Sequence, residues 1–241
     1  MAPERTVRRF SRTERALHWV HASAFLVLFG SGLVLYVPRL SELVARRPLV
    51  KDVHLYMGLA WAVLIALLLL LGLRTGLRDT LRELERFDAD DLRWLVRRGG
   101  RAGRFNAGQK LNAIVTAAFA VLFAISGFLL WYGERDTRFR FASTILLHDG
   151  LMDAALVLLA GHLYLSLVHP ATRPALRGMI RGSVDADWAR RHHPRWAALA
   201  DDADVRAEGG DGEPERLVEH DGPAALADAG RADIPSLPDR A

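Results

Sequence analysis

The chain has 241 residues, of which 25% are charged, 51% are hydrophobic and none is cysteine. Its mean hydropathy of +0.09 is high for so charged a sequence and indicates segregated apolar segments, which excludes a soluble globule. The net charge of +4 conceals +12 over residues 1–200 and −8 over residues 201–241. Without cysteine, the chain itself forms neither a disulfide nor a Cys-ligated zinc or iron–sulfur centre.

Four windows free of Asp, Glu, Lys and Arg predict four membrane-spanning helices, since each is near the ~20 residues that a helix needs to cross a bilayer. The windows are Ala16–Pro38, Val53–Leu73, Leu111–Gly133 and Ala154–Thr172. They predict an all-α, polytopic membrane domain over residues 1–200, with spans at about 16–37, 53–73, 111–133 and 145–169. The first run is too long for a signal-peptide core, so we expect it to be retained.

The loop between the second and third spans contains an amphipathic segment, residues 79–98. Within it, Asp88–Arg98 begins with acids and ends with bases before two glycines, a pattern typical of helix start and stop signals. Leu92, Leu95 and Val96 share one face of this helix. Two interpretations remain open: a helix that lies on the anionic inner leaflet of the membrane, or a docking site for a cytoplasmic partner.

Lysines and arginines outside the spans predict the orientation. The N-terminal segment, the 74–110 loop and the C-terminal segment contain 25 of them, whereas the two short loops contain 7. The positive-inside rule then places both termini and the middle loop in the cytoplasm. Because these arginines flank hydrophobic spans, we expect contact with membrane lipid and no nucleic-acid partner. Residues 201–241 are acidic and poor in large apolar residues, which predicts a disordered tail.

Histidines are the candidate functional residues. Three of the nine follow the last span, and six lie in or at the ends of spans: His18, His21, His54, His148, His162 and His169. An ionisable side chain inside a membrane is costly, and it is therefore a functional hypothesis by default. A single such residue would more often be explained by a hydrogen bond to a neighbouring helix.

The predicted topology places these histidines at two depths. His148 and His162 belong to the fourth span, about 21 Å apart along its axis and only ~40° apart in direction. His18 then faces His162 near the cytoplasmic side, and His54 faces His148 near the outer side. Opposed imidazole pairs between helices are what bis-histidine haem requires, and with both axial positions filled they favour electron transfer over oxygen chemistry.

Spacing alone leaves competing assignments. His21 lies one turn beyond His18 and remains an alternative to it. His169 precedes Pro170, which disfavours helical geometry, so we expect it at the membrane interface. Gly58, near His54, and Gly161, beside His162, would let a porphyrin approach, but close helix packing explains them equally well.

Six motifs in order resemble the gamma subunit of respiratory formate dehydrogenase, a four-helix, di-haem cytochrome b556. They are RFSRTERALHW (9–19), KDVHLYMG (51–58), GRFNAGQKLN (103–112), LLHDGLMDA (146–154), GHLYLSLVHP (161–170) and RGMIRGSVDADWARRHHPRW (177–196). The resemblance spans about residues 8–196. It implies haem b ligation by His18 and His162 on the inner side and by His54 and His148 on the outer side, in preference to His21 and His169.

The resemblance further implies a function. Electrons from a catalytic alpha subunit and an iron–sulfur beta subunit on the periplasmic side would cross two haems b to reduce menaquinone or ubiquinone near the cytoplasmic side. The quinone pocket would be lined by Asn106, Gly108, Gln109 and His162. The chain would be an oxidoreductase subunit of a bacterial or archaeal cytoplasmic (inner) membrane, without catalysing formate oxidation itself, and a higher oligomer of the complex is compatible with this assignment.

Alternatives remain for individual residues and for the function. A helix cap is an equally good interpretation of Asn106. Asp149 and Asp153 either lie at the water interface, dock the iron–sulfur subunit or orient His148, and His192 and His193 are expected at the surface. The alternative functions are the cytochrome b subunit of another quinone-linked complex, such as a hydrogenase or a thiosulfate-type reductase, and a haem-free membrane anchor.

Overall fold

A computed structural model describes residues 5–73, 77–97 and 101–200. Four long helices dominate it: α1 (Arg12–Tyr36), α3 (Arg47–Gly72), α6 (Ala107–Gly133) and α7 (Ala142–Leu163), which a π-helical turn, Tyr164–Val168, extends. Each is long and apolar enough to cross a membrane. The predicted all-α fold with four spans is therefore confirmed, whereas the acidic tail lies outside the described residues.

Local signals explain where the spans begin and end. Ser11 and Asn106 cap α1 and α6, each in a reciprocal capping box with a side chain three residues later. These contacts satisfy backbone N–H groups that have no partner within the helix. The π-helical turn after α7 ends at His169, directly before Pro170, which lacks the N–H that a further turn needs.

The spans pack as two antiparallel pairs. α1 lies along α3, and α6 lies along α7, with a smaller contact between α3 and α6. Among the described residues, α7 has its extensive backbone packing with α6 and not with α1 or α3. The backbone of α7 therefore lies farther from α1 and α3 than from α6, and we call the space between these backbones, into which side chains project, the gap. One end of the bundle is closed by the short helix α2 (Pro38–Val44) and by a 3₁₀ turn, and we call it the loop end.

The opposite end carries a folded cap. Its elements are β1 (Thr6–Arg8), α4 (Leu77–Glu85), α5 (Ala89–Arg97), α8 (Leu176–Arg181), β2 (Ser183–Asp185) and α9 (Ala186–His192), and residues 194–200 are also helical. β1 pairs antiparallel with β2. Val184, Trp188, Ala189 and Ala197 form the buried core of the cap.

The cap is joined to the spans by specific contacts. Gly182 ends α8 with a positive φ of 92°, a conformation that favours glycine. Its carbonyl accepts hydrogen bonds from the backbone N–H groups of Arg9 and Phe10. Trp19, which follows His18 on α1, donates its indole N–H to the carbonyl of Met179. The chain before α1 and the chain after α7 are thereby held together at one end.

The middle segment differs from its prediction. Residues 79–98 were expected to contain one helix over Asp88–Arg98, and α5 lies close to that range, but a second helix, α4, precedes it. Asp88 separates the two by accepting hydrogen bonds from the backbone N–H groups of Asp90 and Asp91 at the start of α5. Both helices pack against α6.

Candidate haem and quinone sites

At the cap end, His18 of α1 faces His162 of α7. Their ring centres lie 6.2 Å apart and their planes are inclined by 54°. His18 is half-buried and His162 is exposed in the gap between the helices. The structure thus brings together the two residues that sequence reasoning assigned to the inner side.

At the loop end, His54 of α3 faces His148 of α7. These ring centres are also 6.2 Å apart, and the planes are inclined by 74°. Both residues are half-buried. Because His148 and His162 lie fourteen residues apart on one helix, the two pairs are separated by about 21 Å along the bundle axis.

Both pairs have the spacing that a metal between two imidazoles needs. A metal–nitrogen bond of about 2.0 Å, plus roughly 1.2 Å from the nitrogen to the ring centre, puts two opposed ring centres about 6.4 Å apart. The ring centres of both observed pairs are 6.2 Å apart, close to this value. Beside His162, a Cβ added to Gly161 would meet no described atom within 4 Å. The residues present therefore fit bis-histidine haem, and their ligand role stays a prediction.

The structure separates the competing histidines from these pairs. The Nδ1 atom of His21 accepts a hydrogen bond from the indole N–H of Trp61 at 3.1 Å. His169 lies beyond the π-helical turn, next to Thr172. Neither ring is paired with another histidine ring among the described residues, which favours His18 and His162, and the choice of ligands stays a prediction.

Sequence reasoning missed the residues that hold the loop-end pair. Ser31 of α1 lies with its Oγ 2.9 Å from Nδ1 of His54, and Ser126 of α6 lies 2.8 Å from Nδ1 of His148. A glycine follows each serine. The sequence does contain a Ser-Gly pair in the first and in the third span. Serine and glycine are so common in membrane helices, however, that such a pair alone does not identify a residue that supports a histidine.

The aspartates next to His148 do not orient it. Its Nδ1 atom contacts Ser126, whereas Asp149 is half-buried and Asp153 is exposed. The interpretation that one of these aspartates holds the His148 ring is therefore wrong. Their placement agrees with an interfacial position.

Asn106 and Gln109 form the capping box at the start of α6. The Asn106 side-chain oxygen accepts from the N–H of Gln109 at 2.9 Å, and the Gln109 side-chain oxygen accepts from the N–H of Asn106 at 3.1 Å. Asn106 is therefore a helix cap. Both contacts use side-chain oxygens, and within the described part of the chain neither side-chain NH₂ group has a hydrogen-bond acceptor. Capping and binding of a ligand carbonyl are thus compatible.

The capping box lies at the same end of the bundle as His162. Since His148 contacts Ser126 and α6 runs antiparallel to α7, His162 is level with about residue 112. It is therefore within about 9 Å of the capping box along the helix axis. Gly108 has a different neighbour: a Cβ added to it would come within 2.9 Å of the Trp94 ring of α5. Gly108 thus permits the close approach of α5, and its role in lining a quinone pocket stays a prediction.

A buried ion pair fixes α5 to α6. Lys110 Nζ lies 2.6 Å from Asp91 Oδ2, and the two side chains are only 4% and 5% exposed. Lys110 also donates to the carbonyl of Arg86. Within the cap, Arg104 of the loop before α6 bonds both Glu14 and Glu83 and so ties that loop to α1 and α4.

His193 is buried, and the expectation that it lies at the surface is wrong. It is 2% exposed, its Nδ1–H donates to the carbonyl of Gly103 at 2.8 Å, and its Nε2 accepts from the Arg9 guanidinium at 3.0 Å. Burial, and then the charge of Arg9, lower the pKa of His193 to about 3. Burial and the neighbouring Arg104 lower the pKa of Arg9 to about 10, so Arg9 stays charged at neutral pH while His193 is neutral.

Curated relatives support the resemblance. The formate dehydrogenase cytochrome b556(fdo) subunit of Escherichia coli K12 is 29% identical over 201 residues, which cover 79% of this chain and 92% of the relative. The nitrate-inducible cytochrome b556(Fdn) subunit of the same strain is 25% identical over 229 residues, 88% of this chain and all of the relative. The formate dehydrogenase cytochrome b556 subunit of Haemophilus influenzae is 23% identical over 201 residues, 76% of this chain and 78% of the relative.

The predicted resemblance to this subunit is confirmed. A family profile described as prokaryotic cytochrome b561 also matches residues 9–182, the part of the chain that holds all four spans and both histidine pairs. Because that match covers more than two thirds of the sequence, the chain belongs to the prokaryotic cytochrome b561 family, whose members are helical membrane proteins that bind haem b.

Proposed function

We propose that this chain is the membrane-anchoring cytochrome b subunit of a respiratory formate dehydrogenase and that it reduces a quinone near the cytoplasmic side of the inner membrane. The observation that carries the proposal is the presence of two opposed histidine pairs with the same 6.2 Å separation at two depths of one bundle. The relatives named as formate dehydrogenase cytochrome b556 subunits support the choice of complex.

The charged residues support an orientation with the cap end in the cytoplasm. The cap and its connections carry most of the arginines, and the loop end carries few. His18 and His162 then hold the inner haem b, and His54 and His148 hold the outer one. When bound, the two haems supply one-electron transfer across the apolar core.

The capping box supports a quinone site at the cap end. The side-chain NH₂ groups of Asn106 and Gln109 are donors that would bind a quinone carbonyl, while their oxygens keep α6 capped. His162 lies about one to two turns away along the axis. A site open to the cytoplasm would take the two protons of quinone reduction from that side, which separates charge across the membrane.

The loop end is the proposed docking surface for the iron–sulfur subunit. It presents the large apolar side chains of Tyr36, Leu43 and Val44, which are exposed in the single chain. A Lys51–Glu134 ion pair at 2.6 Å joins α3 to the end of α6 on the same side. An electron donor bound here would be next to His54 and His148.

The segment formed by α4 and α5 is proposed to lie at the inner membrane surface. Asp91 and Trp94 point towards α6, whereas Leu92, Leu95 and Val96 are exposed on the other face. An exposed apolar stripe beside arginines suits an anionic lipid surface. A cytoplasmic partner on the same stripe is the alternative.

Spectroscopy of the purified full-length chain with its copurifying subunits tests the proposal. We expect a b-type alpha band in the reduced-minus-oxidised spectrum, two haems per chain, and reduction of both haems by formate. Absence of haem would favour a membrane anchor instead. Copurifying subunits that oxidise hydrogen, or that act on thiosulfate, would assign the chain to another quinone-linked complex.

The quinone site needs a variant that preserves the helix cap. Asn106→Asp keeps the oxygen that caps α6 and removes the NH₂ donor, whereas Asn106→Ala removes both. If the amide binds quinone, both variants weaken the binding of quinone analogues while both haems are retained. Unchanged inhibitor affinity in Asn106→Asp, with weaker affinity in Asn106→Ala, would leave Asn106 with a capping role alone.

A further inference from the structure

Each loop-end histidine is held by a Ser-Gly pair on a neighbouring span. His54 of α3 lies against Ser31 and Gly32 of α1, and His148 of α7 lies against Ser126 and Gly127 of α6. Thus α1 supports the histidine of its packing partner α3, and α6 supports that of its packing partner α7. The same arrangement occurs in both antiparallel helix pairs.

The hydroxyl geometry favours the tautomer in which Nδ1 of each ring carries the proton. Ser31 donates to the carbonyl of Val27 at 2.8 Å, and Ser126 donates to the carbonyl of Leu122 at 2.7 Å. A serine has one O–H, so once that proton is directed to the backbone, Oγ can only accept from the imidazole. With Nε2 of each ring as the proposed haem ligand, His54 and His148 carry their protons on Nδ1, directed at the serine oxygens.

A glycine lies beside each ring, and at Gly32 its lack of a side chain matters for the approach of the ring. A Cβ at Gly32 would lie 3.3 Å from Cε1 of His54, and a Cβ at Gly127 would lie 3.5 Å from Cε1 of His148. The first distance is tighter than an ordinary carbon–carbon contact, and the second is at its lower edge. At Gly32 the missing side chain therefore gives the His54 ring room beside Ser31, whereas a Cβ at Gly127 would make an ordinary contact with the His148 ring.

We infer that Ser31 and Ser126 are positioning residues for the outer haem. They fix the tautomer and the ring plane of His54 and His148, and they increase electron donation from these two histidines to the iron. The inference rests on the proposed function, in which His54 and His148 hold that haem. Acceptors on the second nitrogen of a metal-bound imidazole orient the ring and raise its basicity. A more basic ligand stabilises the ferric over the ferrous state and so lowers the midpoint potential.

The inner pair lacks this support. Within the described part of the chain, the ring nitrogens of His18 and His162 have no hydrogen-bond acceptor. The serines would therefore lower the potential of the outer haem selectively. That difference favours electron flow from the outer to the inner haem, the direction that quinone reduction at the cap end requires.

The test is Ser31→Ala, Ser126→Ala and the double variant in the full-length chain with its copurifying subunits. We expect two haems per chain to remain, because all four histidines are retained. The midpoint potential of the outer haem should rise, most in the double variant, and the inner potential should not change.

The ferric EPR spectrum provides a second readout. If His54 and His148 hold the outer haem at the observed interplanar angle of 74°, the two iron d orbitals that accept imidazole π density would be close in energy, and a large maximum g value would be expected. Rings released from the serines would turn, and the outer signal should move to a smaller maximum g value or broaden. The inner signal is the internal reference.

Three further variants control for a general effect on the helices. Threonine keeps a hydroxyl that bonds the preceding turn, so Ser31→Thr and Ser126→Thr should retain the wild-type outer potential. Ser166→Ala removes a hydroxyl directed only at the Leu163 carbonyl and should alter neither haem.

Two results would overturn the inference. One is an unchanged potential and EPR signal of the outer haem in the double alanine variant, while His54→Ala still removes that haem. The other is an equal shift of both haems, which would indicate a general loosening of the bundle. A wild-type chain without haem would instead overturn the proposed function itself, so the two failures are distinguishable.

Discussion

The two histidine pairs have the same ring separation but different surroundings. His54 and His148 are both half-buried and both hydrogen-bonded through Nδ1 to a serine. His162 is exposed, and neither it nor His18 has such a partner among the described residues. The difference agrees with the two proposed tasks. A relay between fixed donors and acceptors would benefit from rigid ligands, whereas a pair beside the proposed quinone site would need access for a substrate.

The elements that support the two histidine pairs also differ between the two ends of the bundle. At the loop end the spans themselves hold the rings. At the cap end the ordered structure lies outside the membrane core, in the cap that Arg9, Arg104 and Lys110 join to the spans. We therefore expect changes in the cap to affect the quinone site and the inner haem, and to leave the outer haem unchanged.

Removal of a ligand should have the largest effect. His18→Ala or His162→Ala should lower the haem content from two per chain to one, eliminate the inner haem and stop quinone reduction, while the outer haem stays. His54→Ala or His148→Ala should eliminate the outer haem and stop its reduction by formate. Haem analysis with redox titration checks both. Loss of the outer haem alone in a His18 variant would show that the pairing is wrong.

Breaking the buried pair between α5 and α6 should have the next largest effect. Asp91→Ala leaves the Lys110 ammonium buried without its carboxylate, which costs about 3–5 kcal/mol. We expect α5 to detach from α6, Trp94 to leave Gly108, and affinity for quinone analogues to fall with both haems retained.

A surface ion pair of α4 provides the matched control for Asp91→Ala. Asp79→Ala breaks an exposed pair with Arg82, which is worth at most about 1 kcal/mol. It should leave inhibitor affinity and the protease resistance of α5 unchanged. Detachment of α5 in this variant as well would contradict the special role of the Lys110–Asp91 pair.

Protonation of His193 should loosen the cap as the pH falls. Its folded pKa of about 3 lies below the ordinary value of 6.5, so the folded cap binds fewer protons than the undocked segment between these two values. Docking stability is therefore complete above about pH 6.5 and decreases as the pH falls towards 3, by about 2 kcal/mol at pH 5. Hydrogen-exchange protection of α9, corrected for intrinsic rates, should fall roughly 30-fold between pH 7.5 and pH 5.

A non-titrating variant separates this effect from general acid sensitivity. His193→Gln offers an NH₂ to the Gly103 carbonyl and an oxygen to Arg9, so it should lose the pH dependence. Equal sensitivity of the wild type and His193→Gln would assign the effect to other groups. The spectrum of the outer haem should be constant in both proteins over this range.

The sequence predicts the parts of this molecule that follow one-dimensional rules. Span length alone predicts the four helices. The arginine distribution and the fourteen-residue spacing of His148 and His162 predict two levels of histidines. Spacing does not separate His21 from His18, since both lie on nearly the same face, and it does not reveal that His21 accepts a hydrogen bond from Trp61 on another helix. His193 was misplaced because its burial depends on Arg9 and Gly103, which lie far away in sequence and meet only in the folded cap.

The smallest expected effect distinguishes two glycines of α1 that lie two residues apart. Gly32→Ala places a Cβ 3.3 Å from the His54 ring, so the ring must move by a few tenths of an ångström. Gly30→Ala places its Cβ where no described atom lies within 4 Å, and it should stabilise α1 by up to about 1 kcal/mol through helix propensity. We expect a small shift of the outer potential in Gly32→Ala and none in Gly30→Ala, measured by redox titration. Equal behaviour of the two variants would mean that the His54 ring has room to move, and the outer pair would then be no more rigidly held than the inner one.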